Sequence, residues 1–274
     1  MTRITEQPSR YDHLETRSVE DLVTLINNED ATVAGAIQKA LPQVSRLITT
    51  IVEKLKSGGR MYYMGAGSGG RLSVLDALEL PTTYGIPKGV VNVILAGGVE
   101  HLAEAPEEKE DDVNEALDKL HREQLTARDI VIGISASGST PFVLAGLKEC
   151  RRLGVTTGCI VSNPDSDIAA AADLPVEVIT GPEFITGSTR MKCGTAQKML
   201  FDMISTTVMI QLGRVEGNSM VNVKLINDKI TDRAVKMLMQ KSGIAGYEKA
   251  KAILLEHGSV KKAMTALNGT HKTP

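Results

Sequence analysis

The sequence predicts an α/β fold, with a mainly five-stranded parallel sheet flanked by helices. Short apolar runs rich in β-branched residues recur between residues 60 and 180, and helical segments follow the first three of them. Runs of this kind alternating with helices are typical of a parallel sheet that is covered on both faces. The five predicted strands are RMYYMGAG (60–67), VVNVILAGG (90–98), DIVIGISASG (129–138), VTTGCIVSN (155–163) and LPVEVIT (174–180).

The N-terminal region is predicted to be helical. Ser18 suits the start of a helix over SVEDLVTLINNED, since a serine hydroxyl can cap the first amides. A second helix is expected to begin near Ala31, to be interrupted near Pro42, and to end at Gly58 and Gly59; glycine is a common helix stop.

The helices between the strands are predicted at residues 70–80, around 107–122 and at 140–154. The first should end near Pro81. A long apolar helix follows at 191–214, and the last fifty residues form a small helical appendix. We therefore expect an N-terminal helical segment (1–44), an α/β ligand-binding domain (45–223) and a C-terminal helical subdomain (224–274).

Composition excludes several classes of function. The net charge is −2 and aromatic residues make up 3%, which disfavours nucleic acid or an anionic membrane as partner. No apolar run approaches the roughly 18 residues of a membrane span, and the N-terminal stretch has no apolar core of a secretory signal. Three cysteines without CxxC spacing and five scattered histidines indicate reduced thiols in a cytosolic protein, with no metal site and no cofactor.

Three loops of similar composition follow predicted strands and precede helices. They are GAGSGGR (65–71), SASGST (135–140) and TGSTRMK (186–192). Backbone amides, Ser and Thr hydroxyls and a helix N-terminus together bind oxyanions, and ligands of open parallel sheets bind at the carboxyl ends of the strands. The first loop matches neither the dinucleotide nor the nucleoside triphosphate motif, so a sugar phosphate fits better.

Acid or base groups for catalysis have two sources. Asp76 and Glu79 lie on the helix after the first loop, and residues 100–115 contain eight carboxylates. Most of these carboxylates must lie on a solvated face, because such a density of charge cannot be buried. Spacing alone does not choose among them.

Four blocks of the sequence carry a resemblance to a known family. GAGSGGRL, LDALELPTTYG, GISASGSTPFV and TGSTRMKCGTAQK, followed by GN and MV near residues 217–221, resemble the N-acetylmuramic acid 6-phosphate etherases. These belong to the sugar isomerase (SIS) group, which also contains the animal glucokinase regulatory protein. The resemblance covers nearly the whole chain and implies a SIS-type, doubly wound sugar-phosphate-binding domain.

The resemblance implies an activity and a set of site residues. The reaction is cleavage of the D-lactyl ether of N-acetylmuramate 6-phosphate with water, giving N-acetylglucosamine 6-phosphate and D-lactate, in cytoplasmic recycling of cell-wall sugars by a homodimer. The family's proton donor falls on Glu79, and its second active-site glutamate falls on Glu110. The substrate-binding residues expected from the three loops are Gly67, Ser68, Gly69, Arg71, Ser137, Ser139, Thr140, Ser188 and Thr189.

Two positions depart from the family pattern. Gly69 stands where the family commonly has a serine, and Ser139 stands where etherases often have arginine. Two other functions on this fold are alternatives: a non-catalytic sugar-phosphate sensor that regulates a partner protein, and an aldose–ketose isomerase. Lactate release separates the etherase from both.

Overall fold

The computed structural model describes residues 3–102, 104 and 106–270, and a parallel sheet of five strands forms its centre. The strand order is β2-β1-β3-β4-β5, and every neighbouring pair is parallel. This confirms the predicted α/β fold. The strands are β1 (Met61–Gly65), β2 (Val91–Leu95), β3 (Ile130–Ser135), β4 (Thr156–Val161) and β5 (Leu174–Glu177).

Ten helices accompany the strands in the described part of the chain. A two-stranded antiparallel hairpin, β6 (Val215–Glu216) and β7 (Ser219–Met220), follows the helix at Lys192–Gln211. The helices are α1 (Val19–Asp30), α2 (Val33–Lys56), α3 (Gly67–Thr83), α4 (Val113–Arg122), α5 (Pro141–Arg152), α6 (Asp167–Ala171), α7 (Lys192–Gln211), α8 (Asp228–Ser242), α9 (Tyr247–His257) and α10 (Val260–Thr270).

The chain forms two compact units. The first contains residues 3–77 and the described residues of Gly89–Ile204, and the second contains Leu78–Lys88 and residues 205–270. In the first unit, apolar side chains of β1, β3 and β4 pack with α4, α5 and α6 in one core. In the second unit, α8, α9 and α10 close a smaller core around residues such as Val235, Leu238 and Leu254.

Helix α2 runs without a break through Pro42, so the predicted interruption is wrong. Proline lacks the N–H that would bond to the preceding turn, and this costs about 3 kcal/mol in a helix interior. The loss is offset by burial, since each fully buried aliphatic side chain contributes about 1.5–3 kcal/mol. The buried residues on this face of α2 recur every three or four positions: Val33, Ile37, Ala40, Val44, Leu47 and Ile51.

Helix α3 also continues past its proline. The predicted end near Pro81 is wrong, because the helix includes Pro81 and ends at Thr83. Leu80 is buried, and its carbonyl accepts a bond from the Tyr84 amide at 2.9 Å. The local signal of a single proline is therefore outweighed by the packing of its neighbours.

The acidic segment at 107–122 is helical as predicted, but it has a break. A 3₁₀ turn at Glu107–Asp111 precedes α4, and Asp112 separates the two. The Asp112 carboxylate accepts a hydrogen bond from the Glu115 amide at 2.9 Å, which makes it the N-cap of α4. The cap starts α4 directly after the 3₁₀ turn that contains Glu110.

Candidate active site

A cavity of about 210 Å³ lies at the carboxyl ends of β1 and β3. The chain leaves β1 for β2 on one side of the sheet, and β3 lies on the other side of β1. The cavity is therefore at the point where the strand order reverses, the usual place for ligands in such sheets. Seven of the residues predicted from the sequence line it: Gly67, Ser68, Gly69, Glu110, Ser137, Thr140 and Thr189.

The first loop is a tight passage from strand to helix. β1 ends at Gly65, and α3 begins at Gly67, which has a φ of 54° that favours glycine. A side chain at Gly70 would place its Cβ 2.8 Å from the carbonyl carbon of Gly65, so the helix can start this close to the strand only with glycine there. The first-turn amides of α3 have no acceptor within the helix and lie at its positive end.

The second loop forms a network of hydroxyl groups. The Ser135 hydroxyl lies 2.8 Å from that of Thr140 and also accepts the Gly138 amide at 3.1 Å. The Ser137 hydroxyl, 3.3 Å from Ser135, lies between these groups and Ser139. These bonds fix the loop before α5 and place several hydroxyl groups at the cavity.

Glu110 enters the cavity from the 3₁₀ turn after β2. Its Oε1 accepts a hydrogen bond from the Thr140 hydroxyl at 2.8 Å. The turn itself is held by Lys109, whose Nζ lies 2.7 Å from Asp112. The structure thus brings one predicted catalytic glutamate, from the acidic segment, against the second loop.

The third loop contributes fewer of its predicted binding residues to the cavity than its composition suggests. Thr189 lines the cavity, whereas Ser188 does not. The first amides of α7 already have an anionic partner: the buried Glu183 carboxylate accepts from the Lys192 and Cys193 amides, both at 2.9 Å. This helix N-terminus is therefore filled by a carboxylate of the protein itself.

A buried ion pair fixes the start of α7. The Nζ of Lys192 lies 2.5 Å from Glu29 at the end of α1, and the Tyr11 hydroxyl donates to the same carboxylate at 3.0 Å. Burial alone would raise the pKa of Glu29, but the hydrogen bonds from Lys192 and Tyr11 outweigh it and lower that pKa. Glu29 is therefore ionised at neutral pH.

Three predicted site residues, Arg71, Ser139 and Glu79, are placed elsewhere in the structure. Arg71 pairs with Glu107 and borders a narrow space that it shares with Glu110. Ser139 lines a neighbouring cavity of about 610 Å³ that shares Ser137 with the first. Glu79 belongs to the second unit, where it is exposed on α3.

Two polar residues that the sequence did not single out also line the cavity, Glu6 and Gln197. Glu6 is held there by its neighbour Thr5, whose amide donates to the Asn163 side chain at 3.2 Å while the Asn163 amide donates to the Thr5 hydroxyl at 2.9 Å. The contact joins residues 158 positions apart. No local pattern could have indicated it.

The lining determines what the cavity can do chemically. Among the described residues that line it, the charged side chains are the carboxylates Glu6 and Glu110, with no lysine or arginine. An anionic group would be held by backbone amides and hydroxyls, and a carboxylate next to it could transfer protons. In the described ranges, no three His, Cys, Asp or Glu side chains are grouped to hold a metal ion, and no helix is long and apolar enough to cross a membrane.

Comparison with solved structures shows the fold. A phosphoheptose isomerase from Francisella tularensis superposes with a TM-score of 0.54 at 15% identity, covering 73% of this chain and 100% of its own. One from Neisseria gonorrhoeae also gives 0.54 at 15% identity, covering 70% and 98%. Family models agree: the glucokinase regulatory protein N-terminal SIS domain matches residues 43–151, and the SIS domain matches residues 109–207.

Comparison of sequences gives much stronger matches. An N-acetylmuramic acid 6-phosphate etherase from Bacteroides thetaiotaomicron is 51% identical over 99% of this chain and 98% of its own. One from Porphyromonas gingivalis is 49% identical over 97% and 96%, and one from a Geobacillus species is 42% identical over 96% and 90%. Identity at this level, over nearly the full length, extends well beyond the loops and their SIS fold, and the chain belongs to the N-acetylmuramic acid 6-phosphate etherase family.

Proposed function

We propose that the protein cleaves the D-lactyl ether of N-acetylmuramate 6-phosphate with water, releasing D-lactate and N-acetylglucosamine 6-phosphate. The observation that carries this proposal is Glu110, whose carboxylate lies in the cavity within 2.8 Å of the Thr140 hydroxyl. The first-turn amides of α3 meet the same cavity and suit the phosphate. The family to which the chain belongs supplies the identity of the substrate.

The chemistry proceeds by elimination and hydration. In the open-chain sugar, the C2 proton lies next to the aldehyde and is acidic enough for a carboxylate to remove. Glu110 takes this proton, the C3–O bond breaks, and the lactyl oxygen leaves with a proton. Water then adds at C3 of the unsaturated aldehyde, and a proton returns to C2. The two steps need one base and one acid, and both can be carboxylates.

Glu79 is proposed as the acid that protonates the leaving lactyl oxygen and then activates the water. Its assignment depends on the LDALELPTTYG block, in which it is the glutamate. Glu79→Gln should abolish turnover and leave binding of the product sugar phosphate largely intact. Glu110→Gln should do the same, because a carboxamide cannot accept the C2 proton. A Glu79→Gln variant that turns over at the normal rate would contradict the acid assignment.

We also propose a cytoplasmic homodimer. Next to Glu79 on α3, Leu75 is 47% exposed and Leu78 is 66% exposed, an apolar surface suited to a second copy of the chain. The three cysteines are all free, which fits a reducing compartment. Sedimentation of the wild type and of Leu78→Glu tests the dimer: the variant should sediment as a monomer.

The decisive assay supplies N-acetylmuramate 6-phosphate in ¹⁸O-labelled water and follows both products. Lactate should be released without label, and the label should appear at C3 of the sugar. Failure to release lactate would refute the etherase assignment and leave a sensor or an isomerase. Label in the lactate would instead contradict the elimination route.

A further inference from the structure

The side chain of Gln197, in the second turn of α7, has no hydrogen-bonding role that the fold explains. The residue is 2% exposed and lines the 210 Å³ cavity. Its carboxamide makes no hydrogen bond to any other described residue. Neither amide atom is among the described buried side-chain atoms that lack a partner, so the carboxamide keeps some accessible surface at the cavity. The cavity is where a partner could be supplied.

The carboxamide lies against the first loop, at the position of Gly69. A Cβ at Gly69 would lie 2.8 Å from Oε1 and 3.1 Å from Nε2 of Gln197. Gly69 is not among the glycines with positive φ, so its backbone does not require glycine. Because Gly69 has no side chain, the Gln197 carboxamide can pack directly against the first turn of α3.

This position puts an amide donor beside the anion-binding end of a helix. Gly69 belongs to the first turn of α3, whose free amides and dipole favour a negative group. No lysine or arginine is among the described residues that line the cavity. A phosphate there would therefore depend on uncharged hydrogen-bond donors.

We propose that Gln197 is a substrate-binding residue whose Nε2 donates a hydrogen bond to the phosphate of the sugar phosphate, in the space that Gly69 leaves open. The inference rests on the proposed function for the identity of the ligand. It explains why a chain with glycine in this loop retains a phosphate site. Nε2 supplies, from α7, a donor that the side chain of residue 69 lacks.

The test measures equilibrium binding by calorimetry with two probes, N-acetylglucosamine 6-phosphate and inorganic phosphate. Gln197→Met keeps the length of the side chain and removes the donor, so affinity for both probes should fall by about tenfold or more. Gln197→Glu is nearly isosteric but places a negative charge at the phosphate, and it should bind more weakly still. If the methionine variant does not fold, the glutamate variant carries the test.

The control is Gln38→Met, the same change at an exposed position of α2 that does not line the cavity. It should bind both probes as the wild type does. Wild-type affinity for N-acetylglucosamine 6-phosphate in either Gln197 variant would overturn the proposal. Weakened sugar-phosphate binding with unchanged binding of inorganic phosphate would overturn the phosphate contact.

Failure of the proposed etherase function can be distinguished from failure of the Gln197 contact, because the binding measurements do not depend on turnover. An absence of lactate release, with sugar-phosphate binding that Gln197→Met weakens, refutes the etherase reaction and supports the contact. Normal lactate release, with binding that neither variant changes, refutes the contact and supports the reaction. A wild type that does not bind the sugar phosphate refutes both.

Discussion

The buried ion pair between Lys192 of α7 and Glu29 of α1 gives a prediction about the free energy of unfolding. An exposed ion pair within α7 serves as its comparison. The side chains are 2% and 8% exposed, and Nζ lies 2.5 Å from Oε2. Lys198 and Asp202, farther along α7, are also 2.5 Å apart, but they are 42% and 60% exposed. Both are lysine–carboxylate pairs at the same distance. A difference in how much their loss destabilises the protein should therefore reflect the difference in burial.

Replacing Lys192 with methionine leaves the Glu29 carboxylate buried, and among the described residues the Tyr11 hydroxyl is then its remaining hydrogen-bond donor. Breaking a buried pair by removing one partner costs about 3–5 kcal/mol. Glu29→Gln should cost less, about 1.5–3 kcal/mol, because the amide oxygen can still accept from the ammonium group. Lys198→Met should cost less than about 1 kcal/mol, since exposed pairs contribute little.

The assay is urea unfolding, followed by circular dichroism, of the single variants and of the double variant Lys192→Met/Glu29→Gln. The double variant no longer buries an isolated charge, so its loss should be smaller than the sum of the single losses by about 2 kcal/mol. If Lys192→Met is no more destabilising than Lys198→Met, the reasoning from burial is wrong.

The same pair predicts a dependence on pH. The folded pKa of Glu29 is lowered, so its contribution to the free energy of unfolding is complete above its unfolded pKa, about 4.3. The contribution is lost as the pH falls through the lower folded value. Wild type and Glu29→Gln should therefore converge in stability under acid conditions. A difference that stays constant between pH 7 and pH 3 would contradict the assignment.

Three other predictions test packing, positioning and thiol burial. Gly70→Ala should lower the free energy of unfolding in urea by about 1–3 kcal/mol, because the added Cβ would clash with the backbone of Gly65. Gly35→Ala is the control: a Cβ there would have no atom within 4 Å, and the variant should raise the free energy of unfolding by about 0.4–1 kcal/mol. Thr140→Val removes the hydrogen bond to Glu110 and should slow lactate release about tenfold or more; an unchanged rate would show that this bond does not position the carboxylate. Burial raises the pKa of each thiol to about 12, so a thiol reagent at pH 8 should detect none in the folded protein and three after unfolding, at Cys150, Cys159 and Cys193.

The sheet and the first two loops could be predicted because their signals are local. Short apolar strands, glycines at the strand ends and hydroxyl residues before helices are each visible within a few residues. Parallel order then brings the carboxyl ends of β1 and β3 together, as the register of Gly65 with Ile134 shows. The family resemblance selected Glu110 from eight carboxylates that spacing alone could not rank.

The errors at Pro42 and Pro81 have a common cause. A proline weakens a helix by a fixed local amount, whereas burial of the neighbouring apolar residues depends on elements that are distant in sequence. For α2 the buried residues recur on both sides of Pro42, from Val33 to Ile51. Rules based on local sequence include the cost of the proline but not the free energy gained by burial of its neighbours.

Local patterns in the sequence were enough to predict the α/β class, the strand positions and two of the loops around the cavity, and the family pattern pointed to Glu110, which lines that cavity. The positions of Glu6 and Gln197 at the cavity, and of Glu183 at the start of α7, could be seen only in the folded chain. Such contacts join residues far apart in the chain, and their energies come from burial and from hydrogen bonds formed after the elements pack. Gly69 shows the difference most clearly: the sequence shows a missing side chain, and the fold shows the carboxamide that lies in its place.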